Sequence, residues 1–97
     1  MEYRDDELGT HFELPDKPTV RQFLAFDSAV ELNRSLSMYE RLWIGVVAVA
    51  QGWESQHVSL EDGLNTAPSA TAIEVIKWAG LVAYSHFQGV REVPKNS

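Results

Sequence analysis

The sequence predicts an all-α protein: a single small bundle of three main helices, with an extended acidic arm in front of them. Three observations carry that expectation. Capping boxes open apolar runs at Thr19 and Ser37, a Pro and a Gly bracket a third run between Pro68 and Gly89, and "LWIGVVAVA", residues 42–50, is apolar throughout. The chain has 97 residues, 44% of them hydrophobic, which suffices for one core and not for two.

The arm comes first. Residues 1–18 carry six carboxylates opposed only by Arg4 and Lys17, and Pro15 and Pro18 close the segment. Such a stretch reads as extended or flexible, with one possible short strand at "HFEL", residues 11–14. The helical domain follows over residues 19–90, and residues 91–97, "REVPKNS", are expected to form a loose tail.

Helix 1 is expected over residues 19–34. Thr19 is the N-cap, Gln22 completes the box, and Pro18 stands just before it. At 100° per residue Val20, Phe23, Leu24, Phe26 and Val30 share one face of roughly 160°, the face assigned to the core. Asp27 projects into the middle of that arc. Either it meets an Arg or Lys across the bundle or the face is partly open where a partner docks, since a lone buried carboxylate is costly.

Helix 2 is expected over residues 37–51. Ser37 and Glu40 form its capping box, and Gly52 takes the position just past its end. Glu40, Arg41 and Gln51 are its only strongly polar side chains, so most of it is apolar on every side and must be surrounded by protein. Two neighbouring helices cover about two thirds of a helix surface. The remainder calls for a third element, the arm or another subunit. A membrane span is excluded for this run, because crossing a bilayer takes about 20 apolar residues.

Residues 53–69 hold few large apolar residues, namely Trp53, Val58, Leu60 and Leu64, and are expected to be irregular with at most one helical turn. Helix 3 is expected over residues 68–88. Its apolar arc carries Ile73, Val75, Ile76, Ala79, Val82, Ala83, Tyr84 and Phe87, while Trp78 and Leu81 lie on the polar side with Glu74 and Lys77. An exposed Trp and Leu among charges is the composition of an interface core. Alternatively, Trp78 lies under the loop that carries Trp53. The candidate partner-binding residues are therefore Trp53, Trp78, Leu81 and Asp27.

Chemistry offers little else. The formal charge is -6, with 8 Lys and Arg against 14 Asp and Glu, which disfavours nucleic acid and anionic membrane as partners. The absence of Cys removes disulfides, thiolate zinc sites and thiol nucleophiles. "MEYRDDELG" lacks the apolar region of a secretory signal, so a cytoplasmic location is expected, and "NRS" at residues 33–35 is then not a glycosylation site. Glu54 and His57 form one E-x-x-H step, whereas a di-iron bundle needs two such steps and two further Glu. His86 falls in the apolar arc of helix 3, where a hydrogen-bonded core histidine is the ordinary role, and Ser85 points about 100° away from it. His11 stands in the arm without catalytic company. No phosphate-binding loop or dinucleotide fingerprint occurs. No catalytic residue, metal site or cofactor is expected, and the protein is read as a non-enzyme.

Three blocks in order, "FELPDKPTVRQFLAFDSA" (residues 12–29), "YERLWIGVVAVAQGWES" (residues 39–55) and "IEVIKWAGLVAYSHFQGVREVPKN" (residues 73–96), together resemble the small tail assembly chaperones of long-tailed bacteriophages. The likeness covers most of the chain and rests on texture and block order, not on a diagnostic motif. It implies a non-enzymatic, mainly helical protein of the infected bacterial cytoplasm, absent from the mature virion, and the apolar surplus of the helices adds the expectation of a homo-oligomer. Its implied partners are the tape measure protein, which it keeps soluble, and the tail tube subunits it helps to recruit. Several members of that family are also made in a longer, frameshifted form. The family has no catalytic residues to transfer. An alternative from the acidic arm is a small inhibitor or adaptor that binds a basic surface of a host protein, and a metal protein or enzyme built on Glu54 and His57 is the weakest of the three.

Overall fold

A computed structural model describes residues 1–32 and 35–91, and the backbone only at Val90 and Arg91. The fold is α+β, and the expectation of an all-α bundle is corrected. Three helices, α1 (Val20–Leu32), α2 (Met38–Val49) and α3 (Ala70–Arg91), pack with a three-stranded antiparallel sheet of β1 (Glu2–Asp5), β2 (Thr10–Glu13) and β3 (Gln51–Ser55), in the order β1-β2-β3. A 3₁₀ turn, Gly63–Asn65, precedes α3. The predicted end of helix 1 at residues 33–34 and nearly all of the predicted tail lie outside the described residues.

The arm is a β-hairpin. Its charges alternate with apolar residues, so one face turns to water and the other inward: Thr10, Phe12 and Leu14 are buried while Glu2, Arg4 and Glu13 are exposed. The turn is closed by the Gly9 N–H donating to the Asp6 carbonyl at 3.2 Å, with Gly9 at φ 57°. The third strand occupies the stretch expected to be irregular. Gly52, expected to stop helix 2, instead lies in β3 at φ 59°, where between the pairs His11–Glu54 and Glu13–Gln51 one residue of β2, Phe12, faces two of β3, Trp53 and Gly52. That mismatch is a bulge, and a left-handed Gly is what it requires. Helix α2 ends earlier, at Val49, because Ala50 turns to extended backbone.

The caps follow the sequence closely. Thr19 and Gln22 satisfy each other's backbone N–H groups at 3.1 and 2.9 Å, the Ser37 hydroxyl accepts from the Glu40 N–H, and the Ser69 hydroxyl accepts from the Ala72 N–H at 3.1 Å. At the other end of α1, the Arg41 Nε donates to the Val30 carbonyl at 2.9 Å, a cation on a carbonyl of the last turn.

Helix α2 packs against both other helices. Glycines permit the close approach on each side. A Cβ at Gly45 would sit 2.7 Å from the Phe26 ring of α1, and one at Gly80 of α3 would sit 2.9 Å from Leu42 Cβ. The sheet is held to the helices by large aromatic side chains. The Phe12 ring meets Trp78 edge-on at 5.5 Å and Trp53 at 5.3 Å, and Trp53 in turn meets Trp43 of α2 at 5.2 Å. Phe12, Leu14, Val46, Val75, Ala79 and Ala83 form the dry centre where sheet and helices join. No described helix is long and apolar enough to cross a membrane.

Candidate functional site

An apolar groove of about 530 Å³ runs between α1 and α3, with the start of α2 as its floor. Each helix contributes residues at i, i+3 and i+4 spacing or close to it: Asp27, Val30 and Glu31 from α1, Met38, Arg41 and Leu42 from α2, Leu81, Tyr84 and Gln88 from α3. The base is made by Phe26 and Phe87, whose rings stack at 4.7 Å with an interplanar angle of 11°. Above them Met38, Leu81 and Tyr84 are 55%, 45% and 48% exposed. The lining thus combines a rigid aromatic base with open apolar walls, the arrangement of a binding groove and not of a closed core.

The sequence-derived contact residues separate into two sets. Leu81 is in the groove wall and exposed, and Asp27 lines the α1 side. Trp53 and Trp78 are half-buried in the aromatic cluster around Phe12, Trp78 against β2 and Trp53 with its indole N–H donating to the Val58 carbonyl at 2.8 Å. The two tryptophans join the layers of the fold and lie outside the groove lining. Sequence reasoning missed Met38 and placed Tyr84 in the core. The available signal was the row Leu81, Tyr84, Gln88 along one side of helix 3, which matches the exposed wall better than the single pair Trp78 and Leu81.

On helix 1 the predicted core face is also partly open. Phe26 is buried, Phe23 and Val30 are partly buried, but Val20 and Leu24 are 75% and 51% exposed. The helix is rotated to put Phe26 onto Gly45.

The candidate chemical residues have structural roles. Glu54 and His57 are on a strand and in the turn after it, so the helical E-x-x-H geometry is absent; Glu54 pairs with His11 across the sheet at 3.0 Å. Among the described residues no group of three or more His, Cys, Asp and Glu is placed to hold a metal ion. His86 is half-buried with both ring nitrogens engaged, Nε2 with the Pro15 carbonyl and Nδ1 with the Tyr3 hydroxyl, each at 2.7 Å. A carbonyl only accepts, so the neutral ring carries its proton on Nε2 and Tyr3 donates to Nδ1. Burial, and after it the charge of Asp16, holds the Tyr3 phenol above its ordinary pKa. This node ties the hairpin to α3.

The outer face of the sheet has a second, polar hollow lined by Arg4, Asp6, His11, Glu54 and Gln56. Beside it, Thr10 donates to the Leu8 carbonyl, so the Ser55 hydroxyl donates to Thr10 and accepts from the His57 and Val58 N–H groups. Ser55 is thereby committed to closing a turn. No protein family, no curated protein and no solved structure matches the chain.

Proposed function

We propose that the protein is a non-enzymatic assembly chaperone that self-associates and binds an elongated helical client, in the manner of phage tail assembly chaperones acting on the tape measure protein. The open groove between α1 and α3 is the observation that carries this reading. It offers lining of about two turns on α1 and on α3, with Phe23, Phe26 and Val30 facing Leu81, Tyr84 and Phe87, dimensions that suit laying in the apolar face of another helix. The three blocks that resemble the chaperone family support it independently, since each includes most of one of the three helices. On this reading the protein works in the cytoplasm of the infected bacterium and leaves before the virion is complete.

Co-expression with the tape measure protein of the same phage tests the proposal. The client should move from the insoluble to the soluble fraction and co-purify, and Leu81→Glu should abolish both effects. An insoluble client with no complex would sink the proposal. Light scattering over a concentration series reads the self-association. Trp78 is not a usable probe of it, because a charge at that half-buried ring would damage the core.

The exposed carboxylates of the hairpin support a second reading, an inhibitor that occupies a basic host surface. Glu2, Asp6, Glu7, Glu13 and Asp16 all face solvent. Removing the arm cannot distinguish the two, since Phe12 and Leu14 belong to the core. Replacing Glu2, Asp6 and Glu13 together by Lys can: client binding survives if the protein is a chaperone of helices and is lost if the acidic face is the contact.

A further inference from the structure

We infer that the open edge of β1 pairs antiparallel with β1 of a second copy of this chain, joining the two three-stranded sheets across a two-fold axis at Tyr3. The inference rests on the self-association proposed above and says where it occurs; it is independent of the groove and of what the groove holds.

The hydrogen-bond phase of the hairpin identifies the free groups. Among the described residues β1 has a neighbouring strand on one side only. Met1 and Leu14 exchange both main-chain bonds, the Met1 ammonium donating to the Leu14 carbonyl at 2.7 Å and the Leu14 N–H to the Met1 carbonyl at 3.0 Å. Exchanging pairs alternate along an antiparallel ladder, so in the register Tyr3–Phe12 and Asp5–Thr10 the N–H and C=O of Tyr3 and Asp5 also turn toward β2. Those of Glu2 and Arg4 therefore point out of the sheet, a template for another strand. Strand β1 has no Pro, no Lys and no bulge to block that edge, and its inward carboxylate, Asp5, accepts from the Leu8 N–H at 3.0 Å. The opposite edge, β3, is bent by the bulge at Gly52.

Charge then selects the occupant and the register. Glu2 and Arg4 are exposed on the outer face and already pair along the strand at 3.1 Å, with Asp6 a further 4.0 Å partner of Arg4. A second copy is therefore not needed to neutralise them. What they do is sort the registers. Only registers in which outward-pointing residues meet keep the Tyr3 face on the same side in both copies. Centred on Glu2, pairing sets one Glu2 carboxylate against the other; centred on Arg4, it sets guanidinium against guanidinium and Glu2 against Asp6. Centred on Tyr3, Glu2 of each copy exchanges both main-chain bonds with Arg4 of the other, and each carboxylate stands opposite a guanidinium while keeping the one beside it. The strand "EYRD" thus complements itself, which is what an isologous two-fold contact requires. Tyr3 leaves the axis open, because its hydroxyl is held by His86 at 2.7 Å and its ring lies against Phe12.

Light scattering over a concentration series, with amide hydrogen exchange followed by NMR, reads the contact on the full chain. An edge of four residues implies a weak dimer, and the Arg4 amide should gain protection as concentration rises. Arg4→Pro deletes an outward N–H without touching the β2 ladder and should abolish the dimer. Arg4→Glu and Glu2→Arg, each alone, turn two symmetry-related pairs from opposite to like charge and should raise the dissociation constant roughly tenfold. An equimolar mixture of those two variants restores the pairing and should form a heterodimer roughly tenfold tighter than either variant's own dimer. Urea midpoints close to the parent's would show that the variants are folded. A dimer that survives Arg4→Pro, or a mixture no tighter than its components, would overturn the edge contact; loss of that dimer in Val47→Glu would then place self-association on α2 and leave the proposed function standing. A monomer at every concentration would overturn both the edge contact and the self-association.

Discussion

Replacing Phe12 by Ala tests whether the acidic hairpin is part of the core or an appendage. Phe12 has no solvent exposure, and its ring lies 6.0 Å from Tyr3, 5.3 Å from Trp53 and 5.5 Å from Trp78. Truncating a fully buried Phe costs about 3–5 kcal/mol, from lost transfer energy and from the cavity left between rings that cannot close on it. A domain of this size has about 5–15 kcal/mol in total, so the substitution removes a large share of it. With a urea dependence of about 1–3 kcal/mol per molar, the unfolding midpoint should fall by roughly 1 M or more. Tryptophan fluorescence is the natural probe, since two of the three rings around the cavity are Trp53 and Trp78. Glu13→Ala, exposed on the same strand, is the control and should stay within about 0.5 kcal/mol of the parent. A loss below about 1 kcal/mol for Phe12→Ala would mean that the hairpin is not packed as described, because no well-filled site tolerates that truncation so cheaply.

The other predictions concern backbone and charge. Gly45→Ala should destabilise, because overpacking against the stacked Phe26 ring costs about 1–3 kcal/mol and outweighs the roughly 1 kcal/mol gained in helix propensity; Gly89→Ala, whose Cβ meets nothing, should be neutral or stabilising by up to about 1 kcal/mol. Thermal melts of the pair decide it, and a stabilised Gly45→Ala would remove the close approach of α1 and α2 as an explanation. Gly52→Ala should cost about 1–2 kcal/mol although its Cβ would touch nothing, since only the left-handed φ is at stake; an unchanged urea midpoint would contradict the bulge. The Met1 ammonium, by a hydrogen bond and its charge, holds the Asp16 carboxyl below the usual range. A carboxylate depressed in the folded state contributes stability above its unfolded pKa near 4 and loses it as pH falls through the folded value. Any stability difference between the parent and Asp16→Asn should accordingly shrink below about pH 4 and with added salt.

The helices were legible because their signals are local. A Thr or Ser hydroxyl three residues before a matching donor, and a Pro or Gly at the right end, are satisfied within one turn, and all three starts are found within two residues of their predicted positions. The hairpin was obscured by composition. Six carboxylates in 16 residues resemble a solvated tail, yet Glu2 and Glu13 are on the outward face of the strands, Asp5 accepts from the Leu8 N–H, and the period-two alternation of Thr10, Phe12 and Leu14 was present in the sequence. Counting charges hid what spacing would have revealed. Strand β3 is harder to read, because a five-residue "QGWES" has one large apolar side chain and a Gly that equally well terminates a helix. Only pairing with a distant strand decides between helix stop and bulge, and pairing is not a local property. The groove was legible in part: Leu81 and Asp27 stand out as misfits on their own helices and the row Leu81, Tyr84, Gln88 is local to helix 3, whereas Met38 joins the lining only once α2 is brought against α1 and α3.

Helix α2 shows how far the sequence's demand for cover is met. Its apolar circumference requires more than two helical neighbours, and the third is the sheet, reached through Trp43 on Trp53. The side holding Gly45 and Leu42 is taken by α1 and α3, and Trp43 also lies against Gly63 of the 3₁₀ turn. Cover then ends: Val47 is 45% exposed, Ala48 is exposed and Ile44 is only partly covered, a strip one turn long outside the groove lining. The groove and this strip are different surfaces with different demands. The groove has depth and an aromatic base, which suit a helical ligand, while the strip of Ile44, Val47 and Ala48 is apolar and suits contact with a like surface. A protein that both self-associates and holds a client needs two such surfaces, because an oligomer assembled through the groove would bury the site the client requires. If self-association uses the strip, Val47→Glu should dissociate the oligomer and leave client binding in the groove intact, whereas Leu81→Glu should do the reverse; a single substitution that abolished both would collapse the two surfaces into one.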